Sequence, residues 1–244
     1  MTAHAEVARP PLTRLTGVEL RKTIDTRAGL WLLLVTALIG LGVVTLVLTV
    51  GKAEDQNFSD MFFLALGITG VLLPVLGILA VTSEWSQRIA LTTFTLVPER
   101  WRVIAAKAVA GIGLGLIVML ACMLAAAAGN VIADGSWSFE LTDLRNAVLI
   151  SAINMMIGFS LGLVFLNSPL AIVLYFVLPT ALGILGEAWK ALPADWIDTS
   201  RTMEPLFENG MAGADWPRLA TSLALWLVLP LVLGLLRLRR AEVK

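Results

Sequence analysis

The sequence predicts an all-α membrane protein with six transmembrane helices. Of its 244 residues, 58% are hydrophobic and 15% are charged, whereas soluble domains average about 45–50% apolar and about 25% charged residues. Six stretches of 18 to 22 residues contain no Asp, Glu, Lys or Arg, and about 20 apolar helical residues cross a bilayer core of about 30 Å. These stretches are Leu30–Val50, Met61–Thr82, Ala108–Ala128, Ala147–Leu166, Pro169–Gly186 and Leu219–Leu236.

The predicted transmembrane helices follow these stretches closely. Buried helices of a soluble protein would carry charges on at least one face, so we assign all six stretches to the membrane. The third helix is expected to extend beyond its charge-free stretch at both ends. Pro74 and Pro179 are expected to kink the second and fifth helices. The predicted helices are 30–50, 61–82, 103–131, 147–166, 169–186 and 219–236.

The charges between the predicted helices set the orientation. The chain has 18 basic and 18 acidic residues, for a net charge of zero. If the N-terminus is cytoplasmic, the cytoplasmic segments are 1–29, 83–107, 167–168 and 237–244, and they hold thirteen of the bases and six of the acids. Cytoplasmic loops carry an excess of Lys and Arg. We therefore expect both termini in the cytoplasm, with a net charge of +7 inside and −7 outside.

The N-terminal segment 12–28 is predicted to be an amphipathic helix on the lipid surface. Its leucines and one isoleucine share a broad apolar arc, and most of its charged residues lie opposite. Glu19 is the exception, since it falls within the apolar arc. A basic anchor before the first membrane helix remains the alternative interpretation. The apolar arc comprises Leu12, Leu15, Leu20 and Ile24, and the opposite face comprises Arg14, Arg21, Lys22 and Asp25.

The cytoplasmic segment between the second and third membrane helices predicts a second short helix, 84–97. Ser83 can cap its start, and Pro98 ends it. Arg100, Arg102 and Lys107 then follow where the third helix leaves the cytoplasm. Ile89, Thr93 and Leu96 recur at helical spacing within it. A positively charged loop without a partner is the alternative.

The segments on the other side carry twelve of the 18 acidic residues. Segment 187–218 has 32 residues with three tryptophans, six acids and three bases, and tryptophan prefers the membrane interface. We expect it to form short helices at the outer leaflet, and a flexible polar loop is the alternative. By contrast, only Asn167 and Ser168 connect the fourth and fifth membrane helices, which predicts a tight cytoplasmic hairpin.

The fourth membrane helix holds the candidate residues for a pore or a helix contact. Ser151 and Asn154 lie one turn apart, in line with Gly158, and an unpaired Asn is costly in hydrocarbon. Met155 offers a soft, adaptable surface. Pore lining and helix packing both stay open for these residues. Because the apolar stretches of all six predicted membrane helices lack charged residues, the sequence disfavours an ion-coupled transporter.

Composition and motifs exclude most enzymes. Cys122 and His4 are the only residues of their types, so the chain can form neither an internal disulfide nor a Cys or His–His metal site. It lacks G-x-x-x-x-G-K-[ST], HExxH and a GxSxG with an available histidine. We expect no catalytic residue, metal, cofactor or nucleic-acid partner. An intramembrane enzyme using Ser151 or Ser160 is the weakest alternative.

The cytoplasmic motifs, taken in their order along the chain, resemble those of the permease subunits of type-2 ABC transporters. Glu84, a short helix, Pro98-x-Arg100 and then Lys107 are similar to that family's coupling segment. The run Val18–Lys22 with Arg27 looks like its elbow helix. The six membrane helices, the inside termini and the long outer segment also match, so the resemblance covers nearly the whole chain. Many members carry Gly-Thr where this chain has Arg88-Ile89, which is a departure from the family pattern.

The resemblance implies a permease that pairs with an identical or sister permease around a central path. Two copies of a separate ATP-binding subunit, which would hold ATP and Mg²⁺, would dock on the coupling helix 84–97. Most relatives export drugs, antibiotics, lipids or glycans. From composition alone, the excess of 13 Arg over 5 Lys and the alanine-rich membrane stretches suggest a bacterium, and therefore a bacterial inner membrane. A membrane scaffold without a transport path is the alternative. The residues implied in coupling are Glu84, Arg88, Ile89, Thr93, Leu96, Pro98 and Arg100, and those of the elbow helix are Glu19, Arg21 and Lys22.

Overall fold

The computed structural model describes residues 11–86, 100–188, 193–208 and 211–240. Within these residues the regular secondary structure is entirely helical, as the sequence predicts. The helices are α1 (Leu12–Asp25), α2 (Arg27–Val50), α3 (Phe58–Gly70), α4 (Leu73–Ser86), α5 (Arg100–Ala133), α6 (Leu141–Phe165), α7 (Ser168–Ala188), α8 (Ala194–Ile197), α9 (Thr199–Phe207), α10 (Asp215–Leu223) and α11 (Leu229–Arg240), with a 3-10 turn at Ala53–Asp55 and a π-turn at Ala224–Val228.

The prediction of six helices that can span a membrane is confirmed. Within the described residues, the structure has six helices that are long and apolar enough: α2, the α3–α4 pair, α5, α6, α7, and α10 with the π-turn and α11. Large apolar side chains remain exposed along them, including Leu38 at 65%, Leu124 at 72% and Ile184 at 64%. Soluble monomers rarely expose such extensive apolar surface. The chain is a multi-pass membrane protein.

Several helices begin or end away from the charge-free stretches. The fourth membrane helix, α6, begins at Leu141 instead of residue 147. Its first turn includes Asp143, whose carboxylate accepts a hydrogen bond from the backbone N–H of Glu140 at 2.8 Å. Acidic residues stabilise helix N-termini, and the helix continues beyond the apolar stretch as a result. The absence of charge marks the core of a membrane helix better than its ends.

Helix α1 ends at Asp25, whereas the predicted surface helix extends to residue 28. Thr26 has an extended backbone conformation, and its hydroxyl accepts a hydrogen bond from the N–H of Gly29 at 3.2 Å. This is the cap of a new helix. Arg27 and Ala28 therefore belong to the first turn of α2, and one residue separates α1 from the first membrane helix.

The second membrane helix is interrupted by a turn at Val71 and Leu72. Because Pro74 lacks a backbone N–H, it cannot bond to the carbonyl of Gly70. The N–H of Leu72 instead donates to Thr69 at 2.9 Å. Helix α4 then continues through Ser83 to Ser86, so Ser83 does not start a separate helix. The predicted coupling helix 84–97 shares its first three residues with α4, and residues 87–99 lie outside the described part of the chain.

The second and fourth membrane helices form the centre of the bundle. In the most apolar 18-residue stretch of each, 56% and 61% of the residues are buried, whereas only 6% are buried in the corresponding stretch of α7. Glycines bring α4 and α6 close together: a Cβ on Gly158 would overlap the backbone of Pro74, and one on Gly162 would lie 3.2 Å from the Cα of Ile78. Small residues allow such close contact between membrane helices.

Because successive membrane helices run in opposite directions, the bundle has two ends, which we call the α1 end and the α9 end. The α1 end contains α1 and the turn before α7, where the hydroxyls of Thr82 and Ser168 lie 2.7 Å apart. The α9 end contains α9 and the loop around Ser136, whose carbonyl accepts a hydrogen bond from the N–H of Phe58 at 3.2 Å.

We predict that the α4–α6 contact limits the stability of the bundle. Gly158→Ala should destabilise the protein by about 1–3 kcal/mol, the usual effect of overpacking a tight contact. Gly42→Ala is the matched control, because a Cβ at Gly42 has nothing within 4 Å. Thermal unfolding in detergent, followed by tryptophan fluorescence, measures both. Equal melting temperatures for the two variants would show that α4 and α6 can separate without loss.

Candidate functional site

A buried ion pair joins three helices at the α1 end. Glu19 of α1 and Lys107 of α5 are 7% and 8% exposed, and the ammonium of Lys107 contacts the carboxylate Oε2 of Glu19. Lys22 binds the other oxygen, Oε1, at 2.8 Å. Lys107 also donates to the carbonyl of Ala80 in α4 at 3.4 Å. The pair therefore ties α1 to both α5 and α4.

This pair explains why an acid lies in the apolar arc of α1. Leu12 and Ile24, the first and last apolar residues of that arc along the chain, are 41% and 43% exposed, while Leu20 packs towards Gly113 of α5. The buried face of α1 is thus centred on α5, where Glu19 finds a charged partner. Removing one partner of a buried pair leaves an uncompensated charge, so the pair holds α1 in one position on α5. Sequence reasoning noted the misplaced acid but missed its partner.

Two of the residues predicted to couple to an ATPase, Glu84 and Arg100, lie at the same end of the bundle. Glu84 belongs to the last turn of α4 and Arg100 to the first turn of α5, and of these two residues only the backbone is described. Arg21 is exposed on α1. Segment 87–99 therefore leaves and rejoins the bundle through the two helices that the Glu19–Lys107 pair connects. The remaining candidates lie outside the described residues: Arg88, Ile89, Thr93, Leu96 and Pro98.

Three of the four candidates on the fourth membrane helix lie in helix contacts. Ser151 and Met155 are fully buried. The hydroxyl of Ser151 donates to the carbonyl of Ala147 within its own helix at 2.9 Å. Met155 packs against Gly111 of α5, and Gly158 lies against Pro74. The structure thus places these three residues where α6 meets α4 and α5.

The fourth candidate, Asn154, lines a cavity of about 480 Å³ at the α9 end. We name this the α9 cavity; it lies between α3, α6, α7, α9 and the π-turn. The amide nitrogen of Asn154 donates to the carbonyl of Ile150 at 2.9 Å. Its amide oxygen accepts no hydrogen bond from any residue that the structure describes. Asn154 therefore presents an open acceptor at the surface of this cavity.

Aromatic side chains form much of the α9 cavity. Tyr175 and Phe176 come from α7, Phe207 from α9 and Trp226 from the π-turn. The hydroxyl of Tyr175 makes no hydrogen bond within the described ranges. None of the described lining residues is charged. None of these residues was predicted from the sequence, although two signals were visible there: the only tyrosine of the chain and a tryptophan, each within an apolar stretch of a membrane helix.

The π-turn fixes the position of Trp226. The N–H of Leu229 bonds to the carbonyl of Ala224, five residues earlier, and such single π-turns often occur at functional sites. The indole N–H of Trp226 donates to the carbonyl of Ile197, at the end of α8, at 2.7 Å. The hydroxyl of Ser160 in α6 lies 3.4 Å from the carbonyl of Trp226. Trp226 thus links the last membrane helix to α6 and to the short helices of the α9 end.

A second cavity of about 680 Å³ adjoins the first. It lies between α2 and α3, with Asp55 and Asp60 among its lining residues. Gly67 and Phe207 line both cavities, and the ring of Phe207 meets Phe63 edge-on with centroids 6.4 Å apart. The side chain of Phe207 is therefore the partition that the two cavities share.

Comparison with known proteins does not assign the chain to a family. No protein-family model matches it, and no curated protein matches it significantly. Its resemblance to type-2 ABC permeases rests on the order of its sequence motifs. Within the described residues, no group of three or more His, Cys, Asp or Glu side chains could hold a metal ion.

We predict that Lys107 contributes far more to the free energy of unfolding than a surface lysine does. Lys107→Met should destabilise the protein by about 3–5 kcal/mol, because it leaves Glu19 as a buried charge without its partner from α5. Lys52→Met is the control: Lys52 also pairs with a glutamate, Glu54 at 3.2 Å, but both side chains are more than 70% exposed. Exposed pairs contribute little.

Thermal unfolding of both lysine variants in the same detergent tests this difference. The expected order is a large loss of melting temperature for Lys107→Met and almost none for Lys52→Met. Glu19→Gln, which removes the charge and keeps a polar group, should lie between them. A Lys107→Met protein as stable as the wild type would mean that α1 is held by its other contacts.

Proposed function

We propose that this chain is the membrane-spanning permease subunit of an ATP-driven ABC transporter. It would export a hydrophobic or amphipathic compound and take its energy from a separate ATP-binding subunit. One observation supports this most strongly. The buried Glu19–Lys107 pair connects α1 to α5 and α4, the two helices that flank the cytoplasmic segment resembling a coupling helix.

The packing offers a route from that segment to a cargo site. A subunit that pushes on segment 87–99 would move the ends of α4 and α5, and the ion pair would carry α1 with them. Helix α4 packs on α6 through Gly77, Gly158 and Gly162. Because packed helices shift as units, a displacement of α4 would reach α6. Helix α6 carries Asn154 into the α9 cavity, so the motion would alter that cavity.

The cavity and the helix surfaces fit the rest of the proposal. A volume of about 480 Å³ falls within the range of small-molecule sites, about 300–1,000 Å³. Only 6% of the residues in the most apolar stretch of α7 are fully buried in the single chain, which leaves room for a second permease, identical or sister, beside lipid. ATP and Mg²⁺ would bind to the partner subunit. The charge asymmetry supports an orientation with both termini in the cytoplasm, and the proposed membrane is the bacterial inner membrane.

Co-purification tests the proposed partnership. The tagged chain, extracted from its native membrane in mild detergent, should bring down a P-loop ATPase that mass spectrometry identifies. Arg88→Glu or Glu84→Lys should lower ATP-driven transport at least tenfold while leaving the chain folded. Lys52→Glu, a charge reversal in the loop after α2, should have no such effect. Transport by the purified chain without any nucleotide-binding protein would overturn the proposal, and a complex without an ATPase would favour a membrane scaffold.

Cysteine labelling tests the proposed orientation. The only native cysteine, Cys122, is buried, so single cysteines introduced at exposed sites have a low background. Ser138→Cys should react with a membrane-impermeant maleimide on intact cells. Thr13→Cys, on α1, should react only after the cells are opened. The reverse pattern would invert the topology and place segment 87–99 beyond the reach of a cytoplasmic ATPase.

A further inference from the structure

We propose that the α9 cavity is a binding site, within a single chain, for a neutral amphipathic molecule with an apolar or aromatic body and one hydroxyl or amide N–H. Aromatic residues from three separate elements, Phe176, Phe207 and Trp226, line it together with two polar residues that have open hydrogen-bonding capacity, Asn154 and Tyr175. The inference concerns what the cavity binds, whatever drives its release.

The polar groups define the ligand's hydrogen-bonding chemistry. The oxygen of Asn154 carries no hydrogen and can only accept a hydrogen bond, and the amide nitrogen uses one of its two N–H groups to donate to the carbonyl of Ile150. The hydroxyl of Tyr175 can donate or accept, and within the described part of the chain it does neither. Leaving a polar group without a hydrogen bond in apolar surroundings costs free energy. A ligand that carries a hydroxyl or amide N–H would satisfy the acceptor on Asn154 or the oxygen of Tyr175.

The rest of the cavity defines the ligand's body and charge. Trp226 is 7% exposed and is held by its own hydrogen bond to Ile197, so it presents a fixed apolar surface. Phe176 packs edge-on against Tyr175, with centroids 4.9 Å apart. No charged side chain lines the cavity among the described residues, so an ionised ligand would lose its hydration without gaining a counter-charge. These surroundings favour neutral aromatic or aliphatic bodies.

An acyl chain of a membrane lipid is the simplest competing occupant. It would fill apolar space but could not bond to Asn154 or Tyr175, and its uptake would not saturate. The proposal therefore depends on selectivity for a neutral hydrogen-bonding group. It rests on the proposed function only in naming this molecule as the transported cargo. Because binding is measured on the purified chain without nucleotide or partner, its failure would leave the ATPase partnership untouched.

Three photoreactive probes that share a benzophenone core test this selectivity. They are benzophenone, para-hydroxymethylbenzophenone, which adds a hydroxyl, and para-benzoylbenzoate, which adds a charge. The chain is irradiated with each probe in lipid nanodiscs, and the labelled peptides are identified by mass spectrometry. The hydroxymethyl probe should label peptides of α6, α7 or α9 in a saturable manner. The carboxylate should need at least tenfold higher concentrations.

Substitutions in the cavity identify the groups that bind the probe. Tyr175→Phe and Asn154→Leu should each raise the half-saturating concentration of the hydroxymethyl probe about fivefold, an effect typical of one neutral hydrogen bond. Labelling by benzophenone should change little with Asn154→Leu. Gly70→Phe should abolish saturable labelling, because Gly70 lines the cavity and a Cβ there meets nothing within 4 Å. Gly42→Phe, equally unobstructed but in α2 away from the cavity, should leave labelling unchanged.

Three results would overturn the proposal. They are labelling that never saturates, equal labelling by the neutral and the charged probes, and full saturable labelling of Gly70→Phe. Melting curves show which variants are folded. If Gly70→Phe fails to fold, Tyr175→Phe decides the question, since it removes one oxygen and should reduce the preference for the hydroxymethyl probe over benzophenone about fivefold. A preserved preference in Tyr175→Phe and Asn154→Leu alike would contradict the assignment.

Discussion

The architecture depends on one buried ion pair. Glu19 and Lys107 are the charged residues that bring α1, α4 and α5 together at one end of the bundle. Burying two charges requires close pairing and further hydrogen bonds, and Lys22 and the carbonyl of Ala80 supply them. An apolar contact would allow α1 to slide over α5. A charged contact in apolar surroundings has far fewer acceptable geometries, so α1 cannot move without α5.

Close helix packing extends this constraint to the opposite end. Glycines on α4 and α6 remove the side chains that would separate the two helices, and α6 carries Asn154 into the α9 cavity. The π-turn adds a second connection, because Trp226 bonds to Ile197 while its carbonyl lies near Ser160. The α1 end and the cavity are therefore joined by packed helices. This is the arrangement that a subunit driven from the cytoplasm would need.

The sequence predicts the helices well because the bilayer imposes a simple rule. About 20 apolar residues are needed for each crossing, and absence of charge finds all six. It locates helix ends less well, since Asp143 and Arg27 lie in helices that extend beyond the apolar core. The break before Pro74 follows from the missing N–H, although the sequence predicts only a kink there.

Contacts between distant residues could not be read from the chain. Glu19 stands out as an acid in an apolar arc, yet nothing in the pattern shows that Lys107, 88 residues later, is its partner. Similarly, Tyr175, Phe207 and Trp226 lie far apart in sequence, and no periodicity brings them to one cavity. Asn154 is visible as a polar residue in a membrane helix, but only the tertiary structure separates it from Ser151 and Met155, which pack between helices.

The most direct test is the distance between the two ends of the bundle as nucleotide binds. The distance between spin labels on Thr13 of α1 and Ser138 at the α9 end can be measured by pulsed electron resonance in a complex with the proposed ATP-binding subunit. ATP is expected to change the distance distribution in the wild-type chain, and Lys107→Met is expected to abolish this change while the proposed ATP-binding subunit stays bound. An identical nucleotide response in Lys107→Met would contradict this prediction.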